Sequence, residues 1–522
     1  MTRSFFVLAL ALLTALPAFA QRQATLSRAS ADDIRQALRQ ADVRANLRTA
    51  LRGASPTHRE IHGHQINPLH TSQAVSNEGV SSERAQVRAS RLAQRLSPAQ
   101  ARAILAEANV SDLDLSATAT AAVPARLSTT ATAGRTPVRT TPQRRTPQRT
   151  NPARTTTPAA QGAGGRVFVQ PQGPQLDVLS FAAGLHDALK DDANGYVMRL
   201  AENGQPIATL QWEWARRPGD GGLGWNPQRR MHVASVSKLI TAIAAVNLLH
   251  DKGISVDAPI GPYLPDYWDR GANVNAITFR ELLTHRSGIE VPGSATSYST
   301  MKAEIAAGVP SFVNSGQYEN TNFGLFRILI PVINGDVSTD LMSGFAMTPI
   351  FESIADNVWD IVTVNAYETY VNQHVFSPSG VAGGPSLTHR STDAIAYANP
   401  WASGWDSGNL RSVSGGAGWI MSADQVLSVM AHFRHTDSIV PRSVAQQAMD
   451  DRLGLDVRTS TPAGTLYNKN GLWRDGSGRT EQSLAYFLPN GMELVVMTNS
   501  PITTDGVFFR SLVTNLYLAN LD

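Results

Sequence analysis

Cysteine is absent from the 522-residue chain. That excludes disulfides, thiolate nucleophiles, cysteine-based zinc sites and lipid attachment through a cysteine. Lysine is almost absent: Lys190, Lys238, Lys252, Lys302 and Lys469 are all the chain has. Beyond the N-terminus no apolar run approaches the roughly 20 residues of a membrane-spanning helix, so no transmembrane anchor is expected. Acidic residues are scarce early on. Residues 21–165 hold 20 arginines, no lysine and 9 acids, a balance of +11, whereas 166–522 hold 24 basic and 33 acidic groups, a balance of −9. The formal charge of +3 therefore joins a basic segment to an acidic one. No nucleic-acid partner is expected. The length exceeds one ordinary domain of about 100–200 residues.

Four segments follow. Residues 1–20 have the order of a secretory signal: Arg3, an apolar stretch from Phe5 to Leu13, then Ala18-Phe19-Ala20 as a small-x-small cleavage site. A periplasmic or secreted protein is expected, and with no cysteine it is not a lipoprotein. Residues 21–115 are Arg/Ala-rich and partly helical, with Ile34, Leu38, Leu47 and Leu51 at helical spacing and Ser97-Pro98 opening a helix through Ile104 and Leu105. Residues 116–165 are rich in Thr, Pro and Arg and bury almost nothing apolar, the composition of a disordered linker. The arginines of this N-terminal region are candidates to bind an anionic cell-envelope polymer, or are simply solvated. Residues 166–522 carry the pattern of a folded α/β domain. It has a helix over Leu176–Leu189, a hairpin turning at Asn203-Gly204, and a buried helix over Leu239–Leu249 with Gly253 at its end. Two strands, Ser483–Leu488 and Glu493–Thr498, are joined at Pro489-Asn490-Gly491.

The chemistry concentrates where lysine is placed. Ser235-Val236-Ser237-Lys238 opens the buried helix. Residues three apart share a helix face, so the Lys238 amine can reach the Ser235 hydroxyl. A buried lysine can lose its proton near neutral pH and act as a base, which arginine cannot. Tyr318-Glu319-Asn320 runs into a second helix; there a phenol can shuttle a proton and the Asn320 amide can orient the lysine and a substrate carbonyl. Lys469-Asn470-Gly471 opens a strand before the terminal hairpin, with a glycine that lets a substrate backbone approach and an ammonium that adds positive potential.

These motifs, with Ile277–Gly288 and the glycine-rich Ser414-Gly415-Gly416-Ala417-Gly418 leading to Ser422-Ala423-Asp424, make residues 176–522 resemble the penicillin-binding-protein-like serine hydrolases. Tyr-x-Asn in place of Ser-Asp-Asn places the resemblance in the branch of class C β-lactamases, DD-peptidases and related esterases. The resemblance implies an antiparallel sheet flanked by helices, plus a mostly helical subdomain, with the site between them. It implies Ser235 as nucleophile, Lys238 and Tyr318 sharing acid–base work in an order left open, and Asn320 positioning Lys238 and the substrate. Lys469 would stabilise the phenolate or a substrate carboxylate. Asn470, Gly471 and Leu472 would lie along the substrate, with backbone N–H groups of Ser235 and Leu472 as oxyanion hole. It implies no cofactor and no metal, and a small-molecule or peptide substrate. Three functions remain open: a DD-peptidase- or esterase-like hydrolase, a class C-like β-lactamase, and a catalytically silent cell-envelope binding homologue. The N-terminal region is also a candidate inhibitor of the cleft. Asn470 stands where threonine is commoner, which weighs against a β-lactamase. Leu472–Arg479 is expected to overhang the cleft, and an insertion between Ile330 and about Thr363 to fall on its substrate side.

Several lookalikes receive plainer readings. His58, His62, His64 and His70 cluster locally without the spacing of a His-Glu-x-x-His metal site. His285 is expected to be a structural hydrogen-bonding residue rather than a triad base. Trp401, Trp405, Trp419 and Trp473 are expected mostly in the core. Asp475-Gly476-Ser477-Gly478 is expected to be a turn.

Overall fold

In the computed structural model the described residues are 96–106, 109–111, 173–290, 296–310, 316–343, 349–399, 403–502 and 508–522. The secretory signal, the linker and the histidine cluster of the sequence reading lie outside them, as does Trp401.

In chain order the elements begin with α1 (Pro98–Leu105), β1 (Asn109–Ser111), α2 (Val178–Leu189), β2 (Gly195–Glu202), β3 (Gln205–Arg216), β4 (Leu223–Gly224) and β5 (Arg230–His232). A 3-10 turn over Ala234–Val236 leads into α3 (Ser237–Asp251), then α4 (Phe279–Leu283), α5 (Tyr298–Ala307), α6 (Thr321–Gly324), α7 (Phe326–Asn334) and α8 (Pro349–Val371). The chain continues with β6 (Ile420–Ser422), α9 (Ala423–His435), α10 (Arg442–Asp450), β7 (Val457–Thr461), β8 (Gly464–Arg474), β9 (Thr480–Phe487), β10 (Met492–Thr498) and α11 (Phe509–Ala519).

The main sheet runs β1-β3-β2-β10-β9-β8-β7, every pair antiparallel, with β4 on β3. Its central strands are apolar on both faces because both faces are covered. Alternation sorts the side chains. Tyr196, Met198, Leu494, Val496 and Tyr486 enter one core with α2 and α11, while Val197, Val495, Met497 and Phe487 enter the other with α3 and the helical layer. This is the antiparallel sheet flanked by helices that the resemblance implies.

Four differences from the sequence reading are informative. First, residues 96–106 and 109–111 belong with the folded domain rather than ahead of it. Ala101 and Leu105 of α1 are buried with α2, Ser180 Oγ donates to the Leu96 carbonyl at 3.0 Å, and β1 extends the sheet on β3. A three-residue strand has no readable periodicity, so this pairing could not be seen in sequence. Second, Lys469-Asn470-Gly471 lies in the middle of β8, not at its start. Third, Leu472–Arg474 continue β8, and Asp475 closes the following turn by accepting from the Ser477 and Arg479 N–H groups and pairing with the Arg479 guanidinium. The segment is a tied hairpin between β8 and β9. Fourth, the described residues between Ile330 and Thr363 contribute to α7 and α8, whose Ile330, Val358, Trp359 and Val362 enter the helical layer, and Lys302 of α5 ties α8 down through Glu352 and Asp356 at 2.6 and 2.9 Å.

Candidate active site

Ser235 occupies the 3-10 turn between β5 and α3. Ala234 just before it has φ +47°, a left-handed conformation that costs a non-glycine residue and is held here by what surrounds it. The turn leans directly on β8. A Cβ on Gly471 would stand 2.3 Å from the Val233 carbonyl and 3.1 Å from the Ser235 nitrogen, so only glycine lets the strand approach. Ser483 Oγ on neighbouring β9 donates to the same Val233 carbonyl at 2.6 Å.

Lys238 is fully buried in the first turn of α3, one turn beyond Ser235, and its ammonium has a complete set of acceptors. Nζ donates to Ser235 Oγ at 3.1 Å, to Asn320 Oδ1 at 2.6 Å and to the Gly416 carbonyl at 2.6 Å. Tyr318 OH donates to Ser235 Oγ at 2.8 Å from the other side. Lys469 Nζ and Lys238 Nζ each lie 5.0 Å from the centroid of the Tyr318 ring. The structure thus brings together Ser235, Lys238, Tyr318, Asn320 and Lys469 from three separate stretches of chain.

Burial and mutual charge shift these groups in different directions. Burial pushes the Lys238 ammonium below its ordinary pKa, and the Lys469 charge adds to that, while a phenolate at Tyr318 opposes it. Burial alone would raise the Tyr318 phenol, but the two lysines overcome it and hold it below its ordinary value. Burial would lower Lys469, yet Asp456 and Tyr318 hold it above its ordinary value. The Ser235 hydroxyl therefore has two neighbours, Lys238 and Tyr318, both held below their ordinary pKa values, the direction that a base working near neutral pH requires.

Along β8 the backbone alternates. The Asn470 N–H points away from β9 and donates to Asp456 Oδ2 at 3.0 Å. Two residues on, the Leu472 N–H faces the same side, on the stretch of β8 beyond its pairing with β7. That edge faces the Ser235 turn. Asn470 turns its side chain to the opposite face, where Oδ1 accepts from Arg510 of α11 at 3.2 Å.

Two neighbours of the site, Asp456 and Arg510, were not apparent from sequence reasoning, while Gly416 and His285, named there, take definite places. Asp456 pairs with Lys469 at 2.6 Å. Gly416 supplies a carbonyl to Lys238. Arg510 reaches Asn470 across the sheet edge. His285 stacks on the Tyr318 ring with centroids 4.2 Å apart and takes the Glu319 N–H on Nδ1 at 3.3 Å, so it supports the phenol rather than serving a triad. Behind Ser235, His232 accepts from the Gly418 N–H and faces Glu481 at 3.1 Å. Burial holds His232 neutral, its pKa lowered to about 3. Trp473 packs edge-on against it at 5.1 Å, and Trp419 is buried, as expected for core tryptophans.

A half-buried serine held between a buried lysine and a phenol, at the boundary of a flanked antiparallel sheet and a helical layer, is the architecture of a serine hydrolase. The chain belongs to the Beta-lactamase family, whose sequence profile matches residues 181–511. It is 24% identical over 332 residues to Esterase EstB of Burkholderia gladioli, covering 56% of this chain and 80% of that one. PbpX of Bacillus subtilis (strain 168), named as a penicillin-binding protein, is 24% identical over 160 residues, 30% of this chain and 32% of its own. The chain thus matches about a third of PbpX's length. Among solved structures, FmtA from Staphylococcus aureus superposes with a TM-score of 0.50 at 13% identity, covering 69% of this chain and 92% of FmtA, a likeness of fold. Among the described residues no helix is long and apolar enough to cross a membrane.

Proposed function

We propose that this chain is an exported serine hydrolase that opens an amide, ester or β-lactam bond through an acyl-enzyme on Ser235, with DD-peptidase- or esterase-like preference. The observation that carries the reading is the double grip on Ser235 Oγ, from Lys238 Nζ at 3.1 Å and Tyr318 OH at 2.8 Å. Ser235 Oγ attacks the carbonyl carbon, and its proton passes to whichever of Lys238 and Tyr318 is unprotonated. The proton then goes to the leaving nitrogen or oxygen, and water repeats the cycle on the ester. Asn320 fixes the Lys238 ammonium. Lys469 stabilises the phenolate over which it lies. The N–H groups of Ser235 and Leu472 receive the negative oxygen of the tetrahedral intermediate, each worth about 2.7–4 kcal/mol of transition-state stabilisation.

The preference for peptide or ester over β-lactam rests on Asn470. An amide whose oxygen is already held by Arg510 replaces the threonine hydroxyl that often binds a β-lactam carboxylate. The esterase relative points the same way. Export rests on residues 1–20, and the Arg-rich region upstream of the domain is the segment we assign to anionic envelope polymers.

The test is covalent labelling with a fluorophosphonate and a fluorescent penicillin, with adducts mapped by mass spectrometry and Ser235→Ala as control. An adduct on Ser235, lost in the variant, is expected; folded protein labelled by neither reagent refutes the acyl-enzyme. Stable penicilloylation supports a peptidase-like site, and rapid release with turnover supports the β-lactamase reading instead.

A further inference from the structure

Asp456 lies in the connection from α10 to β7, and both of its carboxylate oxygens face the Lys-Asn-Gly segment. Oδ1 pairs with Lys469 Nζ at 2.6 Å, and Oδ2 accepts the Asn470 N–H at 3.0 Å. Its own N–H donates to the Asn468 carbonyl at 2.8 Å. The Lys469 side chain is 1% exposed and that of Asp456 only 9%, so solvent screens the pair weakly.

The connection cannot drift. Gly454, two residues earlier, has φ +76°, and a Cβ there would stand 2.4 Å from Ala242 Cβ and 3.2 Å from the Lys238 carbonyl. Its N–H donates to the Leu283 carbonyl at 2.9 Å. The carboxylate is thus wedged between the edge of β8 and the helix that carries Lys238.

The charge balance follows from these positions. The Tyr318 ring has an ammonium 5.0 Å away on each of two sides. One of them, Lys469, has a full counter-charge at contact distance. The other, Lys238, donates to Ser235, Asn320 and Gly416 and has no carboxylate at contact distance among these partners, Tyr318 being its nearest ionisable neighbour. Lys469 is therefore half of a neutral pair, and not a spare cation for a substrate carboxylate.

We propose that Asp456 is a positioning residue that offsets much of the Lys469 charge, so that Lys238 is the dominant cation acting on Tyr318 and Asp456 tunes the protonation of the group that activates Ser235. The reaction-level part of this assignment rests on the acyl-enzyme reading above; the charge assignment does not. The titratable groups facing Tyr318 are Lys238 from α3, Lys469 from β8, Asp456 behind it and the stacked His285.

The sign is fixed. Asp456 works to raise both the Tyr318 phenol and the Lys238 ammonium. Removing its charge lets both fall, so the group that takes the Ser235 proton becomes available at lower pH, whichever of the two it is.

The experiment uses the full chain with 13Cζ-labelled tyrosine, the Tyr318 resonance being assigned by Tyr318→Phe. In Asp456→Asn the phenol is expected to titrate lower by about one pH unit or more, the size of a neighbouring-charge effect at this distance. The acid limb of the fluorophosphonate labelling rate is expected to move down with it. Asp456→Glu, which keeps the charge, should leave both at the wild-type positions even where the rate falls. An Asp456→Asn phenol titrating as in the wild type overturns the proposal and leaves Asp456 a purely structural acid. Should Asp456→Asn fail to fold, the double variant Asp456→Asn/Lys469→Met, which removes both charges of the pair and leaves neither buried alone, decides the matter beside Asp456→Glu. The proposal requires the phenol to titrate close to the wild-type position in both, and a rise in the double variant as large as the loss of a free cation overturns it. A wild type that is never labelled, with the titration shift present, would sink the acyl-enzyme reading while leaving the charge assignment standing.

Discussion

Replacing Gly471 with alanine tests whether the contact between β8 and the Ser235 turn builds the reactive geometry. The added methyl would lie 2.3 Å from the Val233 carbonyl, 2.5 Å from Ser483 Oγ and 3.1 Å from the Ser235 nitrogen. Two of these obstacles are on one rigid unit, because Ser483 donates to that same carbonyl. Bringing 2.3 Å out to the 3.0 Å below which Cβ contacts do not occur requires the strand and the turn to part by roughly 0.7 Å. The movement falls between the two backbone N–H groups assigned to the oxyanion. A displacement of about 1 Å in a reacting geometry costs on the order of 10²-fold in rate, and loss of one oxyanion donor costs about 10²–10³-fold. Gly471→Ala should therefore lower the second-order rate of fluorophosphonate labelling, and of activated-ester hydrolysis, by about 10²-fold. Stability should change less, by about 1 kcal/mol for the strained Ser483 hydrogen bond, and a thermal melt run alongside separates the two effects. A folded Gly471→Ala variant that labels within threefold of wild type would refute the reasoning. It would mean that the turn and strand can part without consequence, and that the oxyanion donors lie elsewhere.

Two more perturbations follow from the same geometry. Lys238→Arg keeps the charge but cannot give up its proton, and its larger fork does not fit among acceptors at 2.6–3.1 Å; labelling of Ser235 should fall by at least about 10²-fold. Glu304 of α5 is buried beside the Thr321 hydroxyl, and burial raises its pKa to about 7. Its raised value means the folded state holds a proton that the unfolded chain releases from about 4.5 upward. Stability should therefore fall as pH rises from about 4.5 to 7 and level off above, by about 3 kcal/mol at most. Glu304→Gln should flatten that slope, and urea melts at pH 4.5 and pH 8 give the check: equal slopes in both proteins would contradict it.

Legibility divided along the range of the interactions. Ser235 and Lys238 are three residues apart on one helix, so their meeting is a property of helical geometry and can be read from spacing. The hairpin at Asn203-Gly204 and the buried helix beneath Ser235 are likewise local. Asn203 and Gly204 take the positive φ values of +50° and +73° that such a turn requires. Tyr318, Asn320 and Lys469 were legible only through the resemblance, because nothing local brings them to a serine more than 80 residues away. Residues 96–106 and 109–111 were misplaced for the same reason, since β1 finds its partner β3 some hundred residues later.

What the amino-acid sequence determined by itself is the chemistry on offer. With no cysteine and five lysines, the nucleophile had to be sought among hydroxyls, and the base near one of very few amines. What only the tertiary structure decided is the electrical state of those amines. Lys238 and Lys469 are the same residue type at the same depth, yet burial lowers one while Asp456 raises the other. The cause is a carboxylate wedged between β8 and α3 by the close approach of Gly454 to Ala242. Such an arrangement depends on which segments the fold packs together, and in a weakly screened interior one packed charge is enough to separate two identical side chains.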